Sequence, residues 1–289
     1  MNNKVFTLSA CLLVACNTGL DAPPTFTSST SGFVHPESAL WDPATRTWFV
    51  SNIGQFQVPS DGFVSRLDEA GNMLDRQFVS GLDDPKGLGV LDGRLYVADS
   101  THVTVVDLKA PSSIVTLSVP DAVFLNDVAV DAARRAVYVS DSFGNAIFRI
   151  QKGKVSTVLR DARLETPNGL AVQGDELFIA SVGPEPDPAT FIPSKPGRLW
   201  SLHLASGTLS AVTERFAPLD GLVAHGDEFL ASDTFTGVYH VDSDGETQLY
   251  VDNAALGLQG SADIGFDPVS RRMAVPQLFG DTVSFFTFE

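Results

Sequence analysis

The chain has 289 residues, enough for one large all-β domain or two ordinary ones, and its 44% hydrophobic and 19% charged content supports a sizeable core and excludes wholesale disorder. A formal net charge of −16 excludes nucleic acid and anionic membrane surfaces as partners, since both need clustered Lys and Arg. The same charge suits a soluble protein or one that binds cations.

In chain order, Lys4 gives a short positive start, and Val5 to Ala15 is an apolar run too short to span a bilayer. The run ends in Leu13-Val14-Ala15-Cys16, which resembles a bacterial lipobox. Residues 1–15 therefore read as a lipoprotein-type signal peptide and Cys16 as the lipidated first mature residue; an ordinary signal peptide cut nearby is the alternative. Asn17 in place of Asp resembles outer-membrane sorting in a Gram-negative host. The expected location is the bacterial cell envelope, with membrane contact only through the lipid anchor. Cleavage removes Cys11 and leaves Cys16 alone, so no disulfide forms within the domain. Residues 16–32, rich in Thr, Ser and Pro, read as a tether and entry segment, and 33–289 as the folded domain.

From Val34 onward an apolar strand, a Gly/Asp turn and a second strand of the type aromatic-Val-(Ala/Ser)-(Asp/Asn) recur. The second strands include Trp48 to Asn52, Tyr96 to Ser100, Tyr138 to Ser142, Phe178 to Ser181, Phe229 to Asp233 and Met273 to Pro276. Taking Glu37, Lys86, Asn126, Asn168, Asp220 and Ala262 as reference positions in the preceding strands, the spacings are 49, 40, 42, 52 and 42 residues. Such periods with short β-rich runs predict an all-β, six-bladed β-propeller. Gly87, Gly89, Ala129, Gly169, Ala171, Gly221 and Gly265 make the first strands small, as crowding around a central channel requires. The last blade shows three strands, so Thr25 to Val34 is expected to supply its fourth, closing the ring by pairing the two chain ends. Insertions at 183–196 and 54–62 account for the two long spacings. The first is Pro-rich and reads as a stiff rim, with Phe191, Ile192 and Phe56 shaping an apolar edge.

The six reference residues are expected to face the channel where each inner strand enters the propeller. Glu37, Asn126, Asn168 and Asp220 are oxygen donors, two carboxylates and two carboxamides, which is calcium chemistry; the sequence holds no zinc-type His/Cys cluster. The plain alternative is a polar mouth bonded to itself and to water. Lys86 beside a dication would be repelled by roughly 5 kcal/mol at ~6 Å and an effective dielectric of about 20. It is expected to turn towards Asp83, Asp84 or Asp263, to stabilise a developing oxyanion, to take the metal's place, or simply to lie at the surface. His35, two residues before Glu37, falls on the same side by strand alternation and is a candidate for substrate binding, with a loop histidine as the alternative. Asp263, one step beyond the ring, is a candidate support for it.

These elements resemble the senescence-marker-protein/gluconolactonase/luciferin-regenerating-enzyme family of six-bladed propellers, related to diisopropylfluorophosphatase and more distantly to paraoxonase. Asn126 in Asn-Asp, Asn168 in Pro-Asn-Gly-Leu-Ala and Asp220 in Asp-Gly-Leu match the family's pattern, while Glu37 in Pro-Glu-Ser-Ala-Leu-Trp matches it loosely. The resemblance implies a catalytic calcium held by Glu37, Asn126, Asn168 and Asp220, with Asp220 as nucleophile or as general base. It implies a calcium-dependent hydrolase of lactones, esters or organophosphorus esters, acting as a monomer on a small molecule with a carbonyl or phosphoryl centre. A lipid-anchored propeller that binds without turnover is the alternative, and a redox propeller lacks its Trp repeats.

Overall fold

The computed structural model describes residues 19–187 and 189–289. The predicted signal segment and Cys16 lie outside the described residues. The described chain is almost wholly β: six four-stranded antiparallel sheets, with one short helix at Asn253–Leu256 and one 3₁₀ turn at Ala162–Leu164. Each sheet is one blade, and the predicted six-bladed propeller is the fold. Blade 1 begins at inner strand Pro36–Asp42, blade 2 at Pro85–Leu91, blade 3 at Leu125–Asp131 and blade 4 at Pro167–Gln173. The inner strands of blades 5 and 6, Leu222–His225 and Gly265–Asp267, are shorter.

The outer strand of blade 6 is Thr25–Ser31, which pairs antiparallel with Thr282–Thr287. The ring thus closes as the sequence predicts, and one exposed sheet edge disappears. Just before that strand, Leu20 is fully buried. Its amide donates to the Glu228 carboxylate at 2.7 Å, and its carbonyl accepts from the Tyr250 hydroxyl at 2.6 Å. Arg271 donates to the Gly19 carbonyl at 2.9 Å.

The apolar residues of the repeat form six clusters, one wedge between each pair of neighbouring blades. Phe49, Val64, Leu88 and Val97 fill the wedge between blades 1 and 2, and Trp48, Val50, Ala274 and Phe285 the one between blades 6 and 1. Alternation explains this: each strand presents one row to each neighbouring blade. Towards the axis the blades converge. A Cβ on Gly87 would lie 2.4 Å from the Asp127 Cα, and one on Gly221 2.5 Å from the Asp263 Cα.

One irregularity repeats. In blades 1 to 4 the ladder shifts just after the first residue of the inner strand, so that two residues oppose one. Glu37 and Ser38 oppose Ser51, and Asn126 and Asp127 oppose Ser140. This is a β-bulge, and it turns both bulged residues out of strict alternation. The ladder bond lost there is replaced by a side chain. The amides of Ser38, Asp127 and Gly221 donate to the hydroxyls of Ser51, Ser140 and Ser232 at 2.9, 2.8 and 2.8 Å. In blades 1 and 3 the serine of the repeated second-strand motif is therefore the partner of the bulge, whereas Ala98 and Ala180 stand opposite it in blades 2 and 4. The acid that follows it holds the incoming loop: Asp141 accepts from the amides of Val123 and Phe124, and Asp99 from those of Asp83 and Asp84.

Candidate functional site

Five of the six reference residues, Glu37, Lys86, Asn126, Asn168 and Asp220, reach the floor of one cavity of about 530 Å³, the first four of them at bulges. Ala262 is fully buried and contributes only bulk. Its strand pairs late, because blade 6 resumes its ladder only at Gly265.

Each floor residue has a distinct setting. Asn126 donates through Nδ2 to the Ser142 hydroxyl at 3.1 Å, which itself donates to the Pro167 carbonyl. Asn168 donates through Nδ2 to one oxygen of Asp220 at 2.7 Å, and the Thr234 hydroxyl donates to the other at 2.7 Å. With both amide nitrogens engaged by protein, the carboxamide oxygens are what these residues have left to offer. Glu37 is buried, and its Oε2 has no hydrogen-bond partner among the described residues.

Beneath this ring lie Asp127 and Asp263, turned inward at the next position along. Asp127 accepts from the Leu170 amide of the adjoining blade at 2.6 Å, and Asp263 from the Ser38 hydroxyl at 2.6 Å. Asp263 thus bonds the residue that follows Glu37. Asp127 was not singled out by sequence, because alternation would point it away from Asn126; the bulge is what reverses it. The visible signal was an acid at a position otherwise held by Ser38, Gly87, Gly169 and Gly221.

Burial raises all four acids. It pushes Asp220 up to about 6 against the Thr234 and Asn168 hydrogen bonds, and Asp127 up to about 7 against two backbone amides. Glu37 stands well above the ordinary carboxylate range, first through burial, then through repulsion by Asp220, with Lys86 opposing. Asp263 is raised by burial and then by Asp127 and Glu37. The floor thus gathers four acids around one lysine.

Two expectations need correction. Lys86 is no surface lysine: it is 5% exposed, donates to the Asp84 carbonyl at 3.0 Å and lies 4.4 Å above the Phe124 ring. Burial lowers its pKa, with Glu37 and Asp84 opposing. His35 does not line the cavity that holds Glu37. It precedes the strand with φ 46°, which breaks the alternation, and its Nδ1 lies 2.7 Å from the Gly54 carbonyl with its ring against Phe56. Of the insertion residues, Phe191 and Phe56 line the cavity, whereas Ile192 is 57% exposed and does not. No group of three or more His, Cys, Asp or Glu among the described residues is placed to hold a metal; the ring instead mixes two carboxylates with two carboxamides.

No family model and no curated protein matches the chain. Solved structures do. A gluconolactonase from Xanthomonas campestris is similar at 15% identity and TM-score 0.65, covering 92% of this chain and 95% of its own. A chain from a nidogen/laminin complex is similar at 14% identity and TM-score 0.65, covering 84% and 89%. A catalytically inactive virginiamycin B lyase from Staphylococcus aureus, with quinupristin, is similar at 11% identity and TM-score 0.58, covering 91% and 99%. At these identities the likeness is one of fold.

Proposed function

We propose that the protein is a calcium-dependent hydrolase of lactones, esters or organophosphorus esters, with Glu37, Asn126, Asn168 and Asp220 as the metal-holding set. The observation that carries the reading is the buried Glu37 Oε2 without a partner, facing a group of acids that raise one another's pKa. A buried carboxylate oxygen left bare is costly, and a cation is its natural complement. Hard oxygen donors from two carboxylates and two carboxamides fit calcium. The gluconolactonase neighbour supports a lactonase-type reaction on this fold.

Bound calcium would supply a Lewis acid to polarise the carbonyl or phosphoryl oxygen of the substrate. Asp220 is the acting base or nucleophile: Thr234 and Asn168 fix both its oxygens, and a value of about 6 leaves it ionised at neutral pH. Burial and then Asp220 raise the Glu37 carboxyl well above its ordinary range, and a cation beside it would favour the anion, which suits binding. Lys86, held by Asp84 and Phe124, limits the floor on the blade 2 side.

Metal content of the purified chain, with melting measured before and after chelation, tests the metal set. One bound calcium and a lower melting temperature on its removal are expected, and Glu37→Gln should abolish both. Asp220→Asn should lower kcat by at least about a hundredfold; full activity in that folded variant rejects the mechanism. The second reading is a propeller that binds without turnover, favoured by the nidogen neighbour, whose structure is a complex. It predicts retained calcium with no turnover of any lactone or arylester. We also propose that Cys16 carries a lipid anchor in the bacterial envelope; partition of the full chain into detergent, lost in Cys16→Ser, checks this.

A further inference from the structure

We propose that the cavity takes a neutral lactone or ester bearing an aromatic or aliphatic substituent, and discriminates against polyhydroxylated substrates; this rests on the hydrolase reading. The floor is polar, but the wall above it is not. Phe124, Phe143 and Phe191, from three different loops, pack against one another with ring centroids 5.2 to 5.6 Å apart. They form a fixed aromatic slab along one side of the cavity.

On the rim, Phe56, Phe235 and Phe279 are 51%, 53% and 54% exposed, and all three line the same opening. Half-exposed phenylalanines converging from three blades on one mouth are an apolar surface waiting for cover. The wall is also pre-set. The Phe124 amide is held by Asp141 at 2.8 Å and the Phe235 amide by Asp233 at 2.9 Å, so little ordering remains for the ligand to bring about.

Polar side chains are scarce above the floor. Gln57, Thr190 and Asp84 complete the polar lining, with one Asp84 oxygen taken by the Gln57 amide, while the Thr234 hydroxyl is committed to Asp220. A sugar-like lactone would set several hydroxyls against phenyl faces and lose their bonds to water. An anionic substrate would meet the floor acids. What fits is a neutral reacting centre at the floor with an apolar group laid on the slab. A volume of about 530 Å³ leaves space for such a group.

The test is a homologous series from δ-valerolactone to δ-decalactone, beside glucono-δ-lactone, with the full chain in calcium. We expect kcat/KM to rise about threefold per added methylene before levelling, and δ-decalactone to exceed glucono-δ-lactone by at least about tenfold. Phe235→Ala, a rim change that spares the core, should flatten the slope. A flat series, or preference for glucono-δ-lactone, overturns the inference and leaves the hydrolase reading intact. If nothing turns over, the hydrolase reading fails, and thermal shift with 4-phenylcyclohexanone against myo-inositol decides the pocket: a rise with the ketone alone supports the apolar assignment, and any other result overturns it.

Discussion

At the residue scale the acids of the channel dominate. Their folded-state pKa values are raised, so the metal-free protein is most stable below the unfolded carboxylate values and loses that stability as pH climbs through about 6 for Asp220 and about 7 for Asp127. The rise of Asp220 from 3.8 to about 6 alone is worth about 3 kcal/mol. Urea unfolding in chelator should therefore give a higher midpoint at pH 5 than at pH 7.5, and calcium should narrow the gap. Equal midpoints would mean that burial does not raise these acids as described. Thr234 gives a second handle. Its hydroxyl stabilises ionised Asp220, so Thr234→Val should move the acid limb of the kcat/KM profile upward. An unmoved limb would separate Asp220 from the reaction. The ring itself could be read from sequence, because Glu37, Asn126, Asn168 and Asp220 share a repeat position. The repeat places Lys86 in the ring but leaves its direction open, and it does not place Asp127 or His35. Their directions depend on a cation–ring contact, a bulge and one left-handed residue, none of which is visible in a period-2 pattern.

At the element scale the bulge is the device that makes the site. It aims two successive side chains at the axis, and in blades 1 and 3 the second-strand serine satisfies the amide it strands. Ser140→Ala leaves the buried Asp127 amide unpaired and should cost about 1–3 kcal/mol. Unchanged stability on denaturant titration would mean another acceptor takes over. The repeated motif announced the strand, but its serine and acid looked like part of the β pattern; their work on the bulge and the loop emerges only from three-dimensional pairing. The repeat places Asp220 and Ala262 within the inner strands of blades 5 and 6, yet regular pairing starts at Leu222 and Gly265. Near the axis, bonds between blades replace those within them: the Gly169 amide donates to the Asp220 carbonyl, and the Asp263 amide to the Glu37 carbonyl.

At the scale of the whole molecule, closure holds the ring. The strand Thr25–Ser31 covers the outer edge of the last blade. A chain lacking residues 1–31 would expose that edge and should melt lower and aggregate, as light scattering during heating would show. Six similar wedges also explain why fold was easier to read than function: the wedge residues repeat six times, whereas the site is made by the ways in which the repeats differ.

The buried Leu20 has a consequence for how the molecule meets its surroundings. Glu228 and Arg271 lie at the starts of second strands whose other ends lead to Phe235 and Phe279, about 17 Å away along a six-residue strand. Gly19 and Leu20 thus sit on the face opposite the mouth. Any carrier attached there stands behind the cavity, and molecules diffusing in from the far side find an unshadowed target.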